Sequence, residues 1–168
     1  VHEPATDAGS GYLQIDNDVW YYSPQIGTAI KLPSLAISDA LFGSGPSIED
    51  LSLGTLSDNY NVTAERKDGG TLLTLIPHPD APVVYGKLQL QVSADFALET
   101  MLTYDQRGNV LQTSTFSDLV EIGGQMLPTR IVIEDSSGNQ TIEKISNPEY
   151  NLDIDASFFT LDQLEGSQ

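Results

Sequence analysis

YGKLQLQVSADFALETMLTYDQRGNVLQTSTFSDLVEIGGQMLPTRIVIED, residues 85–135, reads as one antiparallel meander. Leu88, Leu90 and Val92 alternate with Lys87, Gln89 and Gln91, the period of a strand that buries one face. Turn residues close each run. Ser93-Ala94-Asp95 ends the first, Asp105-Gln106-Arg107-Gly108-Asn109 separates the second from the third, and Gly123-Gly124 has the composition of a two-residue hairpin between Val120 and Leu127. Strand follows strand with no room for a crossover helix, so this stretch is the frame of a large sheet.

Upstream, residues 1–10 form an irregular lead-in. Gly11–Ile15 and Val19–Ser23 read as short strands around an Asp16-Asn17-Asp18 turn, and a return strand follows over about Thr28–Leu32. Tyr12, Trp20, Tyr21 and Tyr22 crowd this hairpin; such rings either pack a core or line an apolar pocket. Ser34 is a good N-cap before LAISDALF and Gly43 a good stop, and Ser47 with Asp50 resembles a weak capping box before Leu51, Leu53 and Leu56. Two short helices are therefore expected between strands, either closing one end of the sheet or acting as a lid. Strands resume at Tyr60–Arg66 and Thr71–Ile76, joined by Asp68-Gly69-Gly70, and the proline-spaced PHPDAP delivers the chain to the meander. Beyond it come a turn at Ser136–Asn139, a strand at about Gln140–Ile145, and a helical turn at Ala156–Phe159 expected to bury Phe158 and Phe159.

Nine or ten strands without a long helix predict a mainly β protein: a curved antiparallel sheet forming a half-open β-barrel, with short helices as a lid. At 168 residues one domain suffices. The formal charge is −17, from 24 acids against 7 Lys+Arg, which excludes nucleic acid as a partner because phosphate binding needs clustered bases. An anionic membrane repels such a chain unless an apolar face overcomes the charge. The absence of cysteine rules out a disulfide framework, a thiol nucleophile and a thiolate metal site. No run has the length of a membrane span, and VHEPATDAGSG lacks the pattern of a signal peptide, so the chain reads as cytosolic or as a mature or trimmed fragment.

Catalytic constellations are missing. His2 and His78 have no HExxH, no thiolate partners and no GxSxG serine beside them, and His78 with Asp80 is a weak metal pair. Paired acids (Glu49-Asp50, Glu134-Asp135, Asp153 and Asp155) are expected by chance in so acidic a chain. The sequons at Asn61 and Asn139 carry no weight by themselves, and Gly9-Ser10-Gly11 opens no helix and so is no phosphate loop. The chain reads as no enzyme, with no cofactor; a large sheet, short helices and clustered aromatics suit an apolar ligand held in a cavity.

The order of several short motifs adds a resemblance. WYYSP at Trp20–Pro24, YGK at Tyr85–Lys87, FSD at Phe116–Asp118 and GGQMLPTR at Gly123–Arg130, with LDIDASFFTLDQL near the C-terminus, resemble the bacterial outer-membrane lipoprotein-sorting proteins of the LolA-like superfamily over nearly the whole chain. That resemblance implies a single LolA-like domain over 1–168, a periplasmic or envelope location, and carriage of lipid or of lipoprotein acyl chains. It also implies an alternative on the same fold, an RseB-like envelope sensor that binds a partner protein. Family members begin with further strands before the segment matching Gly9–Ile15, so an exposed edge and an edge-strand homodimer are expected. Tyr12, Trp20, Tyr22, Leu41, Phe42 and Leu51 are the candidates for the cavity or lid, chosen for chemistry and position.

Overall fold

Alternating apolar and polar residues build sheets that bury one face, and in the computed structural model they build two. The structure describes residues 5, 7–15, 18–33, 56–81, 83–149 and 151–166. The chain divides into two compact units, one made of Val1–Gly43 with Leu152–Gln168 and the other of Ser44–Asn151. The first expected helix and the second as far as residue 55, with the turn residues Asp16 and Asn17, lie outside the described residues, while Leu56, the last apolar residue of the second, is helical.

The first unit holds a three-stranded antiparallel sheet of β1 (Gly11–Ile15), β2 (Asp18–Tyr22) and β3 (Ile30–Lys31), in that order. Among the described residues the second begins with α1 (Leu56–Asn59) and continues through β4 (Tyr60–Lys67), β5 (Gly70–Pro77), β6 (Lys87–Ser93), β7 (Leu98–Tyr104), β8 (Val110–Ile122), β9 (Gln125–Asp135) and β10 (Gln140–Lys144). These seven strands pair in sequence order, every neighbour antiparallel, which is the meander that residues 85–135 predict, extended on both sides. The chain then returns to the first unit with a 3₁₀ turn (Ala156–Phe158) and α2 (Leu161–Gly166).

The seven-stranded sheet is curved, as expected, and its register shifts between Gln91 and Val92 and between Thr103 and Tyr104. Such irregularities bend and twist a strand. It is not a barrel, however. It stays open, as the half-open reading expects, because nothing among the described residues pairs with the outer sides of β4 and β10. Closure needs the first and last strands to meet with a fixed stagger; here the edges are instead made unattractive, β4 by Glu65, Arg66 and Lys67 and β10 by its five-residue length. A correction concerns the tail. Phe158 and Phe159 are 68 % and 55 % exposed, because the 3₁₀ turn is held by polar capping: the Asp155 carboxylate accepts the Ser157 N–H at 2.8 Å.

Two turns at the same end of this sheet are built identically. In both DQRGN (105–109) and DSSGN (135–139) the Asp side chain accepts the backbone N–H two and four residues on, and the Asn side chain donates to its second oxygen. Gly108 and Gly138, at φ +86° and +84°, supply the left-handed residue the loop requires. Hydrogen bonds from Asn109 and from Asn139 hold the two carboxyls below the usual carboxylate range. A folded-state pKa that is depressed adds stability above the unfolded value of about 3.9 and loses it as pH falls through the folded value. The Asp105→Asn/Asp135→Asn double variant is therefore expected to melt below the parent at pH 6, with the gap shrinking as pH drops below about 4. Thermal melts of both proteins across that range check it; a gap independent of pH would contradict the account.

The core of the same unit gathers Tyr60, Leu75, Tyr85, Leu88, Leu90 and Met101. One group in the sheet does not fit: the Thr103 hydroxyl is buried, its residue 1 % exposed, and has no hydrogen-bond partner. Thr103→Val keeps the shape and removes the unsatisfied oxygen, so it is expected to stabilise the protein by about 1–3 kcal/mol, read from urea unfolding midpoints.

Candidate functional site

Antiparallel pairing puts directly opposed residues on one face, so the register of the seven strands sorts their side chains. One face carries Val62 opposite Leu75, Leu75 opposite Leu88, Leu73 opposite Leu90, Leu90 opposite Met101, and Phe116 opposite Ile131. The other carries Thr63 opposite Thr74, Thr74 opposite Gln89, and Lys87 opposite Tyr104. On this polar face the Tyr104 hydroxyl donates to Gln89, Gln89 donates to Thr74 at 3.5 Å, and the Lys87 ammonium sits 3.6 Å from the Tyr104 ring centre. Leu72, Ile76 and Leu102 also lie on this side, so the sheet has one mainly apolar face and one mixed face.

On the apolar face the buried cluster grades outward into half-buried Leu73, Leu98, Phe116 and Ile131, and then to Val62, which is 49 % exposed. This surface can bury an aliphatic chain, and the charged groups that share it include Glu143, opposite Ile131, and Arg66, opposite Thr71, both on the edge strands. Sequence reasoning named none of these five residues as a site. Part of the signal was present in period-two alternation, as at Ile131 and Ile133 on β9, and Phe116 opens the FSD motif, whereas Leu98 reaches this face only through the register shift between β6 and β7.

The residues expected to line a cavity fall elsewhere. Trp20 pairs with Leu13 and Tyr22 with Gly11, so Trp20 and Tyr22 share one face of the three-stranded sheet. Tyr12 pairs with Tyr21 on the opposite face, their rings 4.9 Å apart and tilted by 40°. Tyr22 is buried, whereas Tyr12 and Trp20 are half-buried. The sheet therefore brings Trp20 and Tyr22 together and separates Tyr12 from both. Leu41, Phe42 and Leu51 lie outside the described residues.

Polar candidates have structural occupations. The His78 backbone N–H donates to the Asn59 carbonyl as the chain leaves β5, which engages the main chain and not the imidazole, and no cluster of three metal-type ligands occurs among the described residues. Asp155, one of the paired acids, caps the 3₁₀ turn, and the Ser157 backbone hydrogen bond holds its carboxyl below the usual carboxylate range. An open concavity of about 530 Å³ lies beside the 135–139 turn, lined by Gln112, Thr113, Glu134, Asp135, Ser136 and Ser137 among others. Its carboxylates and hydroxyls do not suit an acyl chain, so the apolar face is the better site.

A family model described as that of an uncharacterized protein matches residues 1–166. The comparison with curated proteins found no match. Among solved structures the chain is similar to a domain ascribed to outer membrane lipoprotein sorting from Vibrio parahaemolyticus, at 20 % identity and a TM-score of 0.80, with 98 % of this chain and 74 % of that one covered. It is similar to a DUF1329 family protein from Desulfovibrio piger at 22 % identity and a TM-score of 0.84, covering 97 % and 74 %. A LolA superfamily protein from Nitrosomonas europaea matches at 27 % identity and a TM-score of 0.75, covering 96 % and 74 %.

Proposed function

We propose a function from one premise: the chain belongs to the family whose model matches residues 1–166, and its fold is that of the LolA superfamily. On this reading residues 1–168 act as one LolA-like domain that carries lipid, or the acyl chains of lipoproteins, in the bacterial envelope without chemical conversion. The observation that carries it is the apolar face of the seven-stranded sheet, which continues from the buried Leu75–Leu88–Met101 cluster to half-buried Leu73, Leu98, Phe116 and Ile131 and exposed Val62. Each methylene moved from water onto such a surface contributes about 0.8 kcal/mol, so ten contribute about 8, the scale of a micromolar dissociation constant before ordering costs. Affinity built this way is non-directional and reversible, as a carrier requires.

Native mass spectrometry of gently purified protein, before and after organic extraction, tests the reading. A mass excess that extraction removes and that matches a phospholipid or fatty acid supports it; protein without such an excess, and without saturable binding of a fluorescent fatty acid, rejects it.

A further inference from the structure

Bulky side chains rarely adopt the left-handed backbone region, and an exposed one has no packing reason to be held there. Phe96 combines both conditions: its φ is +62° and it is 89 % exposed, the most exposed large apolar residue among those described. It sits on the turn between β6 and β7, which is firmly fixed. Ser93 N–H donates to the Ala97 carbonyl, Phe96 N–H to the Ser93 carbonyl, Ala97 N–H to the Ser93 hydroxyl, and Ala94 N–H to the carbonyl of Gly69 in the neighbouring turn. The ring is thus presented outward by a rigid frame, at a position where Asn or Gly would be less strained.

The β8–β9 hairpin turns at the same end of the meander. Pairing with β7 stops at Thr115 and pairing with β10 stops at Arg130, so the hairpin from there to Gly123-Gly124 extends as a two-stranded arm. Leu119, Val120 and Met126 are exposed on this arm. One end of the sheet therefore carries separate apolar projections on two turns, interspersed with Asp95, Asp118 and Glu121.

We propose that this end, with Phe96 as its anchor and Leu119, Val120 and Met126 beside it, docks on the interface of a zwitterionic lipid surface. Separate projecting tips need no complementary shape in a fluid bilayer, and an aromatic ring suits its interfacial depth. Charge selects among surfaces: a chain of net −17 with acids among the tips is repelled by anionic lipid and by a second copy of itself. The docking is independent of acyl binding, because Phe96 lies on a turn and outside the apolar face of the strands.

Co-flotation with phosphatidylcholine vesicles tests it, using the parent, Phe96→Asn and Leu119→Ser/Met126→Ser. The parent floats with phosphatidylcholine, and less at low salt when half the lipid is phosphatidylglycerol. Phe96→Asn floats about tenfold less, yet melts about 2–4 °C higher, since relief of strain and loss of docking have opposite signs. The arm variant also floats less, and binding of a fluorescent fatty acid by Phe96→Asn stays at the parent level. Three results would each overturn the proposal: a parent that does not float with phosphatidylcholine, a Phe96→Asn variant that floats like the parent, or one that melts no higher. Failure of the acyl-carrier reading would be seen separately, as absence of extractable lipid and of fatty-acid binding.

Discussion

Gly70→Ala lowers the unfolding free energy by about 3 kcal/mol or more, at or beyond the upper end of ordinary overpacking. A Cβ at this position would stand 2.0 Å from the Val92 carbonyl oxygen and 3.1 Å from its carbonyl carbon, both backbone atoms of the adjacent strand. No rotamer change can relieve that contact; β5 and β6 must move apart where Gly70 pairs with Ser93. The neighbouring glycine is the control. Gly69 has φ +89°, and a methyl group added there would meet nothing within 4 Å, so Gly69→Ala bears only the conformational cost of about 1–2 kcal/mol. Urea unfolding of the two variants separates steric from conformational cost, and equal midpoints would refute the distinction.

On the acyl-carrier reading, Val62→Glu combined with Phe116→Glu abolishes acyl binding, with a loss of roughly a hundredfold or more, because a buried carboxylate facing an aliphatic chain costs several kcal/mol. Val62 lies on the edge strand β4 and is half exposed, so Val62→Glu by itself leaves the fold intact and still weakens binding. Fatty-acid titration followed by fluorescence, with circular dichroism as the check on folding, reads both. Undiminished binding by a folded double variant would move the site away from this face.

The legible and illegible parts of the chain differ for physical reasons. Alternation at Leu88, Leu90 and Val92 and the turn chemistry of 105–109, 123–124 and 136–139 are local signals, and each strand they bound is present. A half-open sheet follows from the number of strands, but how far apart β4 and β10 stay depends on accumulated twist and stagger along seven strands, which no window of sequence carries. The aromatics at Tyr12, Trp20 and Tyr22 drew attention by type, yet register sends Tyr12 to the opposite face from the other two. The apolar surface was hidden by its ordinariness, since Leu73, Leu98, Phe116 and Ile131 look like any half-buried strand residues. Phe158 and Phe159 misled because ring size suggests burial, whereas Asp155 fixes their turn through its carboxylate.

The composition of the first unit from residues 1–43 and 152–168 has a consequence in time. On the ribosome β1–β3 emerge early, but Glu165, whose carboxylate accepts the Ala29 N–H at 2.7 Å and the Thr28 hydroxyl at 3.1 Å, is made only after all of Ser44–Asn151. Glu165 lies 136 residues after Ala29, so at about 5–20 residues per second the wait is roughly 7–27 s, long compared with the formation of a hairpin. The meander can be complete before the first unit receives its last pieces. During that interval the aromatic-rich hairpin and β3 are without the Glu165 carboxylate that later holds Thr28 and Ala29.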